Sequence, residues 1–425
     1  MDRKKKKTAA QKAAVNQKQQ LNDLKSRFVT RTTDLLALYG NAHVVAKIPH
    51  QWIERLFEYR YSVLKAKPAA DATIDRIKLI HINKYISESM KQYRVPLSNG
   101  NEVPLDWWVS EGVTLLNALE VMDDEKRPED EEILKHFRPH FFGGKSYQIA
   151  EGLILDILEE CTRLLGDFND CLIRIDITDT TCFSQFNVSN DVIIRTFKPE
   201  LNYQLLDRNK RPSRRLGWVN DDFKWKFSRV RPSTLGFKVG SLDIPLPVYV
   251  HQHALDRLKE RVNVIPGVMH EILFHLFNQD QIEHQVIPGA SLVMYPVADE
   301  KVGYLVVKLH ADKVVVHTFL FLTNNGTPEG AKLKKLLEIE KADKQYLEID
   351  NLPAFNAYRI DQNQTLSTLF RTAGCGSLLK LGHLQAFTEN DVKDKDPESI
   401  LKYLTNAPYF RKEPAHSTDS LQLPS

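Results

Sequence analysis

A chain of 425 residues, 42% hydrophobic and 27% charged, has the composition of a globular protein and is too long for one core, so about two or three domains are expected. No apolar run is long enough to span a membrane and no apolar segment follows the basic N-terminus. The four scattered cysteines, without a Cys-x-x-Cys pair, argue against zinc or a disulfide framework, so a reducing cytoplasm is the expected setting, with no metal or cofactor. The formal net charge of +3 conceals segregation: residues 1–27 and residues 208–231 each hold nine Lys/Arg against two acids, which leaves the remainder acidic.

Residues 1–20, rich in Lys, Ala and Gln, read as a basic disordered tail or the frayed start of a helix, suited at most to non-specific contact with a polyanion. A helical domain is expected over 21–168. Leu21, Leu24, Phe28, Leu35 and Leu36 space as one helical face. Trp52, Leu56, Tyr59 and Val63 space as another, and Ile77, Ile80, Ile82, Tyr85 and Ile86 as a third. Residues 107–121 and 149–165 are further amphipathic segments. Pro96, Asn99-Gly100 and Pro104 mark a loop or small hairpin. Glu132, His136 and His140 lie four apart on one face, but Pro139 sits among them and the His-Glu-x-x-His order of zinc proteases is missing. Gly143-Gly144-Lys145-Ser146 ends like a phosphate-binding loop. Pro139 stands where its first glycine belongs and no strand precedes it, so a Gly turn with Ser146 as helix cap is expected.

A β-rich segment is expected over 169–245, with strands at Leu172–Ile177 and 192–197. Within it, Arg208, Lys210, Arg211, Arg214 and Arg215 form a basic loop before Trp218. Phe223, Lys224, Trp225, Lys226 and Phe227 then alternate aromatic with basic. Cations beside rings suit single-stranded nucleic acid, which offers phosphates to one and unpaired bases to the other. The same alternation equally describes a strand with its aromatics on the core and its lysines in water.

Residues 246–350 form the expected centre. Residues four apart on a helix drift by about 40°, so His253, Arg257 and Arg261 make one narrow stripe. It borders an apolar face of Ala254, Leu255, Leu258, Val262 and Ile265, with Asp256 and Glu260 placed to pair with the arginines. Pro266-Gly267 breaks this helix from a second over 268–277. Three strands follow at 291–297, 302–309 and 314–322, and their short polar connectors argue an antiparallel meander. The third is apolar on both parities and so should be central. Strict alternation puts Val315, His317, Phe319 and Phe321 on one face and Val316, Thr318 and Leu320 on the other. Thr327-Pro328 caps a further helix through 340, and 346–349 is a candidate strand. A C-terminal extension (351–412), with short helices near 366–370 and 400–404, and a disordered tail (413–425) complete an α+β reading.

The His-Ala-x-x-Arg-x-x-x-Arg helix of His253, Ala254, Arg257 and Arg261, followed by an antiparallel sheet, resembles the toxin-type ribonucleases of the barnase–EndoU–colicin–RelE group. That resemblance implies RNA cleavage without metal. The 2′-hydroxyl attacks the adjacent phosphate while a base and an acid move protons and cations neutralise the phosphorane oxygens. His253 would exchange protons, Arg257 and Arg261 would hold phosphate, and His317 or Thr318 would supply a second polar group. A non-catalytic protein or nucleic-acid binder is the alternative, in which the helical domain engages a protein partner and the basic segments steer it to RNA or another polyanion.

Overall fold

In a computed structural model the protein is α+β. It describes residues 2–40, 42–61, 64–141, 144–177, 190–206, 209–238, 243–310, 312–387 and 393–405. The chain divides into two compact units, residues 1–162 with 173–196, and residues 163–172 with 197–425.

The first unit is mostly helical. Of the two readings of its N-terminus, the helical one matches: a single helix runs Asp2–Leu38. Lys, Ala and Gln are strong helix formers, and Phe28, Thr32, Leu35 and Leu36 bury the distal end of the rod. On the helix Arg76–Gln92, Ile82, Ile86 and Met90 are buried while Ile77 and Ile80 are exposed. At 100° per residue those two lie about 140–160° around the axis from Ile82, off the packed stripe. β1 (Leu64–Pro68), β2 (Arg94–Pro96) and β3 (Glu102–Pro104) interrupt the helices. β2 and β3 form the hairpin signalled by Asn99-Gly100, where Gly100 takes φ +85°. The helix Lys145–Leu165 begins before Ser146, whose hydroxyl donates to Pro96 O instead of capping. β4 (Leu172–Ile177) and β5 (Asn190–Phe197) form as expected. They join β1 in a three-stranded sheet of this unit, with β5 parallel to β1, and so depart from the basic segment that follows them.

The second unit is built on an eight-stranded sheet. β6 (Leu201–Leu206) pairs antiparallel with β7 (Asn209–Arg215), so the expected arginine loop is a strand. β8 (Gly217–Val219) and β9 (Trp225–Phe227) make a separate hairpin. Phe223 turns its corner at φ +59° and leaves the alternating run one aromatic short. β10 (Arg229–Val230) pairs with β11 (Leu246–His251). β12 (His284–Ile287), β13 (Ala290–Val297), β14 (Glu300–His310) and β15 (Lys313–Phe321) form an antiparallel run, and the sheet order is β12-β13-β14-β15-β11-β7-β6.

β15 is central, as its apolar text requires, lying between antiparallel β14 and parallel β11. Its faces differ from strict alternation. Val316 pairs with Val307 and Thr318 with Val306, so His317 is an extra residue, a bulge. The slip inverts parity beyond it. Register places Val314, Val316, Phe319 and Phe321 on the face of Leu305, Val307 and Tyr295, all buried, and Val315, Thr318 and Leu320 on the other.

The stripe helix, Gln252–Val262, follows β11 directly and buries Ala254, Leu255, Leu258 and Val262. Asn263 ends it at φ +50°, and Pro266 opens the next helix, Pro266–Leu276. Gly267 is required there, because a Cβ would lie 2.0 Å from Arg163 O. The helix Pro328–Leu337 starts at Thr327, whose Oγ1 accepts from Gly330 N at 2.9 Å. No strand forms at 346–349. The helix Lys341–Tyr346 leads into a turn that ends at Asp350, with Glu348 at φ +52°. The described residues past 351 pack on the sheet. Leu352, Phe355, Leu366, Leu369, Phe370, Ile400 and Leu404 share one apolar core with the sheet. Their helices, at Leu352–Ala357, Gln364–Thr372 and Pro397–Leu404, are too short for a strong periodic signal.

Candidate nucleic-acid interface

A cavity of about 260 Å³ opens between the stripe helix and the C-terminal half of β15. His253, Arg257 and Arg261 line it from the helix and Thr318, Phe319 and Leu320 from the strand. Asn324 to Gly326, Lys341, Lys344 and Asp350 complete the wall. Two segments singled out separately in the sequence therefore meet at one concave site. Among the described residues its lining carries four cationic side chains and the Asp350 carboxylate, with Glu260 paired to both arginines beside it, which leaves the site net positive.

The cations are held very differently. Arg261 is 7% exposed, and its guanidinium is clamped by the Asp350 carboxylate, by Asp350 O at 3.1 Å and by Glu260 at 3.2 Å. Its charge is thus largely compensated. It shapes the cavity floor more than it attracts a ligand, a correction to its expected role as a phosphate fork. Arg257 is half-buried and pairs with Glu260 at 2.6 Å, an i,i+3 contact at the surface that is worth little. His253 and Lys341 are exposed at the rim. Lys344 is 1% exposed. Its ammonium donates to Thr323 O at 2.7 Å, Asn325 Oδ1 at 2.5 Å and Gly330 O at 2.8 Å, and burial pulls its pKa down to about 8. Sequence reasoning missed Lys341, Lys344, Asn325 and Asp350. The Asn324-Asn325-Gly326-Thr327-Pro328 turn was the one visible pointer to a polar wall here.

Thr318 joins the site and His317 does not. The bulge sends His317 beside His310, with the rings parallel within 10°, centroids 5.6 Å apart and Nε2 to Nε2 at 3.3 Å. His251 lies on the other side of His317 at 6.3 Å and His253 a further 6.4 Å from His251, so four imidazoles form a row that reaches the cavity mouth. His251 is buried and its pKa is lowered, first by burial and then by Arg211 and His253. Its Nε2 finds no hydrogen-bond partner among the described residues.

The basic block is split by strand alternation. Arg208 lies outside the described residues. Arg214 sits opposite Leu201 and Val250, where its guanidinium binds Gln252 and donates to Asn169 O at 2.6 Å. Burial lowers its pKa. Half-buried, it is tied to the chain by those two contacts. Lys210 shares that strand face but is exposed. Arg211 and Arg215 point to the opposite face. Arg211 is exposed, and Arg215 lies over the Phe227 ring at 4.1 Å. Lys224 and Lys226 are exposed, while Trp225 stacks on Phe227 at 5.6 Å and packs on the core, the arrangement of an ordinary amphipathic strand.

Among the described residues no group of three or more His, Cys, Asp or Glu has the geometry to hold a metal. Glu132 is taken by Lys47 at 2.6 Å and His140 by Ser98 at 2.8 Å. No helix among the described residues is long and apolar enough to cross a membrane. No family model matches the chain, and neither a curated protein nor a solved structure matches it.

Proposed function

We propose that this protein acts on nucleic acid and seats a phosphodiester in the cavity between the stripe helix and β15. The observation that carries the reading is the lining: Arg257 and Lys341, with His253 at the rim, stand over an Arg261–Asp350 pair and a Lys344 held by protein oxygens. On the β15 side Phe319 and Leu320 give the cavity an apolar wall beside the Thr318 hydroxyl. Cleavage of RNA without metal, as in the toxin-type ribonucleases, is the reaction these groups suit. His253 would take the proton of the 2′-hydroxyl as its oxygen attacks phosphorus, and Arg257 and Lys341 would neutralise the phosphorane oxygens. A 2′,3′-cyclic phosphate forms and the 5′-oxygen leaves, its proton supplied by His253 or by water.

Binding without cleavage is the second reading, favoured by the displacement of His317. The cavity holds one histidine where paired acid and base are wanted, and Lys344 spends its donors on three protein oxygens. The test is incubation of the full chain with RNA in chelator, beside His253→Ala and Arg257→Ala, with binding followed by fluorescence anisotropy. Cleavage by the wild type that falls at least about a hundredfold in His253→Ala supports the enzyme. Intact RNA, with binding weakened in Arg257→Ala, supports the binder. RNA neither cut nor bound refutes both.

A further inference from the structure

The sheet face that carries Thr318 and Leu320 holds further charged residues beyond the cavity lining. Register puts Tyr249 opposite Val315 and Val315 opposite Lys308, while Lys313 sits opposite His310. Ser213 is opposite His251, so Arg211, two residues along β7, projects to the same side. Four adjacent strands thus present Arg211, Tyr249, Lys313, Lys308 and the His310–His317 pair on one face, across roughly 14 Å at the usual strand spacing. Within the sequence from Lys301 to Phe321, and throughout β7 and β11, the one acid is Asp312, which pairs with Lys313 at 3.3 Å, and Asp256 on the stripe helix acts on His251. Rings accompany the cations: the Lys313 ammonium lies 5.9 Å from the Tyr249 centroid, and the His310 and His317 rings stack. Next to them lies His251, buried and opposite Ser213 on the same sheet face. The row of imidazoles then runs from His310 through His317 and His251 to His253 at the cavity mouth.

We infer that this face is a track for single-stranded nucleic acid that delivers the strand to the cavity. The inference rests on the proposed function for its destination, but the face binds whether or not the cavity cuts. Cations hold the backbone, and Tyr249 and the paired imidazoles offer flat surfaces to unpaired bases, which a duplex keeps stacked on one another. A phosphate-only surface would need no rings.

The experiment measures anisotropy of labelled oligouridylate, and of a duplex of equal length, on the full chain over a series of salt concentrations. Lys308→Ser/Lys313→Ser is compared with Arg257→Ala. Removing one lysine that neutralises a phosphate flattens the slope of log K against log salt by about 0.7 for a single strand. The double variant is therefore expected to have a slope shallower by about 1.4 and to bind at least about tenfold more weakly at low salt. The duplex is expected to bind less tightly than the single strand. If Arg257→Ala binds normally while the double variant fails, the cavity reading falls and the track stands. An unchanged slope and affinity in the double variant, or equal binding of duplex, overturns the track. Should the double variant misfold, photocrosslinking of unaltered protein to iodouridine-substituted strand decides. Adducts at Tyr249, His310 or His317 are expected, and adducts only elsewhere overturn the inference.

Discussion

Replacing Glu111 by Gln should stabilise the helical unit, and the size of the gain should depend on pH. Glu111 lies in a π-helical turn, Trp108–Gly112, where it is 3% exposed. Arg31 is 3.9 Å away, yet burial outweighs that attraction and lifts the carboxyl pKa from 4.5 to about 8. The folded-state value is raised, so between about pH 4.5 and 8 the folded chain holds a proton that the unfolded chain has released. Stability associated with this group is complete below pH 4.5 and declines as pH climbs to 8. Each pH unit in that window is worth about 1.4 kcal/mol, so by about pH 7 the loss is on the order of 3 kcal/mol. Glutamine keeps the volume and has no charge to desolvate, and Arg31 retains Asp106 at 3.2 Å. Urea unfolding followed by tryptophan fluorescence at about pH 5 and about pH 7.5 measures this. The variant should match the wild type within about 1 kcal/mol at the lower pH and exceed it by roughly 2–3 kcal/mol at the higher. Parallel pH dependences in the two proteins would refute the reasoning.

Two further substitutions probe the second unit. Asp350→Asn removes the carboxylate from the buried Arg261 guanidinium, which keeps only Glu260 as a charged partner, and should cost about 2–3 kcal/mol, read from the denaturant midpoint. A loss below about 1 kcal/mol would show that Arg261 reaches water and is available to a ligand after all. Gly267→Ala drives a methyl group into the Arg163 carbonyl and should lower the melting temperature through a loss of about 1–3 kcal/mol. An unaltered melting curve would mean that the helix Pro266–Leu276 shifts freely at its start.

Much of the second unit was legible because its signals are local. The stripe helix, the Pro266 break, the meander and the Thr327 cap each follow from a few neighbouring residues, and each formed. What escaped depends on pairing at a distance. β11 reads as an unremarkable Leu-Pro-Val-Tyr-Val-His until it finds β15, and β7 reads as an arginine loop until β6 and β11 bracket it. The His317 bulge escaped for another reason. Alternation presumes a regular ladder, and one inserted residue exchanges the destinations of Thr318 and His317 without altering the composition. Asp350 was invisible as the partner of Arg261 because 89 residues separate them and neither carries a motif for the other.

The parallel junction of β11 with β15 also has a kinetic meaning. Val248 and Val314 meet across a chain segment of more than sixty residues, whereas β13, β14 and β15 zip through tight turns. Closing a loop of that length costs roughly 4 kcal/mol of chain entropy before any contact repays it. The meander can therefore assemble early, and the β6-β7-β11 half must wait for the intervening helices to dock. The two halves of the sheet join along Val248–Val250 and Val314–Val316, with the His251 and His317 rings stacked at the end of that seam, so this junction is the last to close as the unit folds.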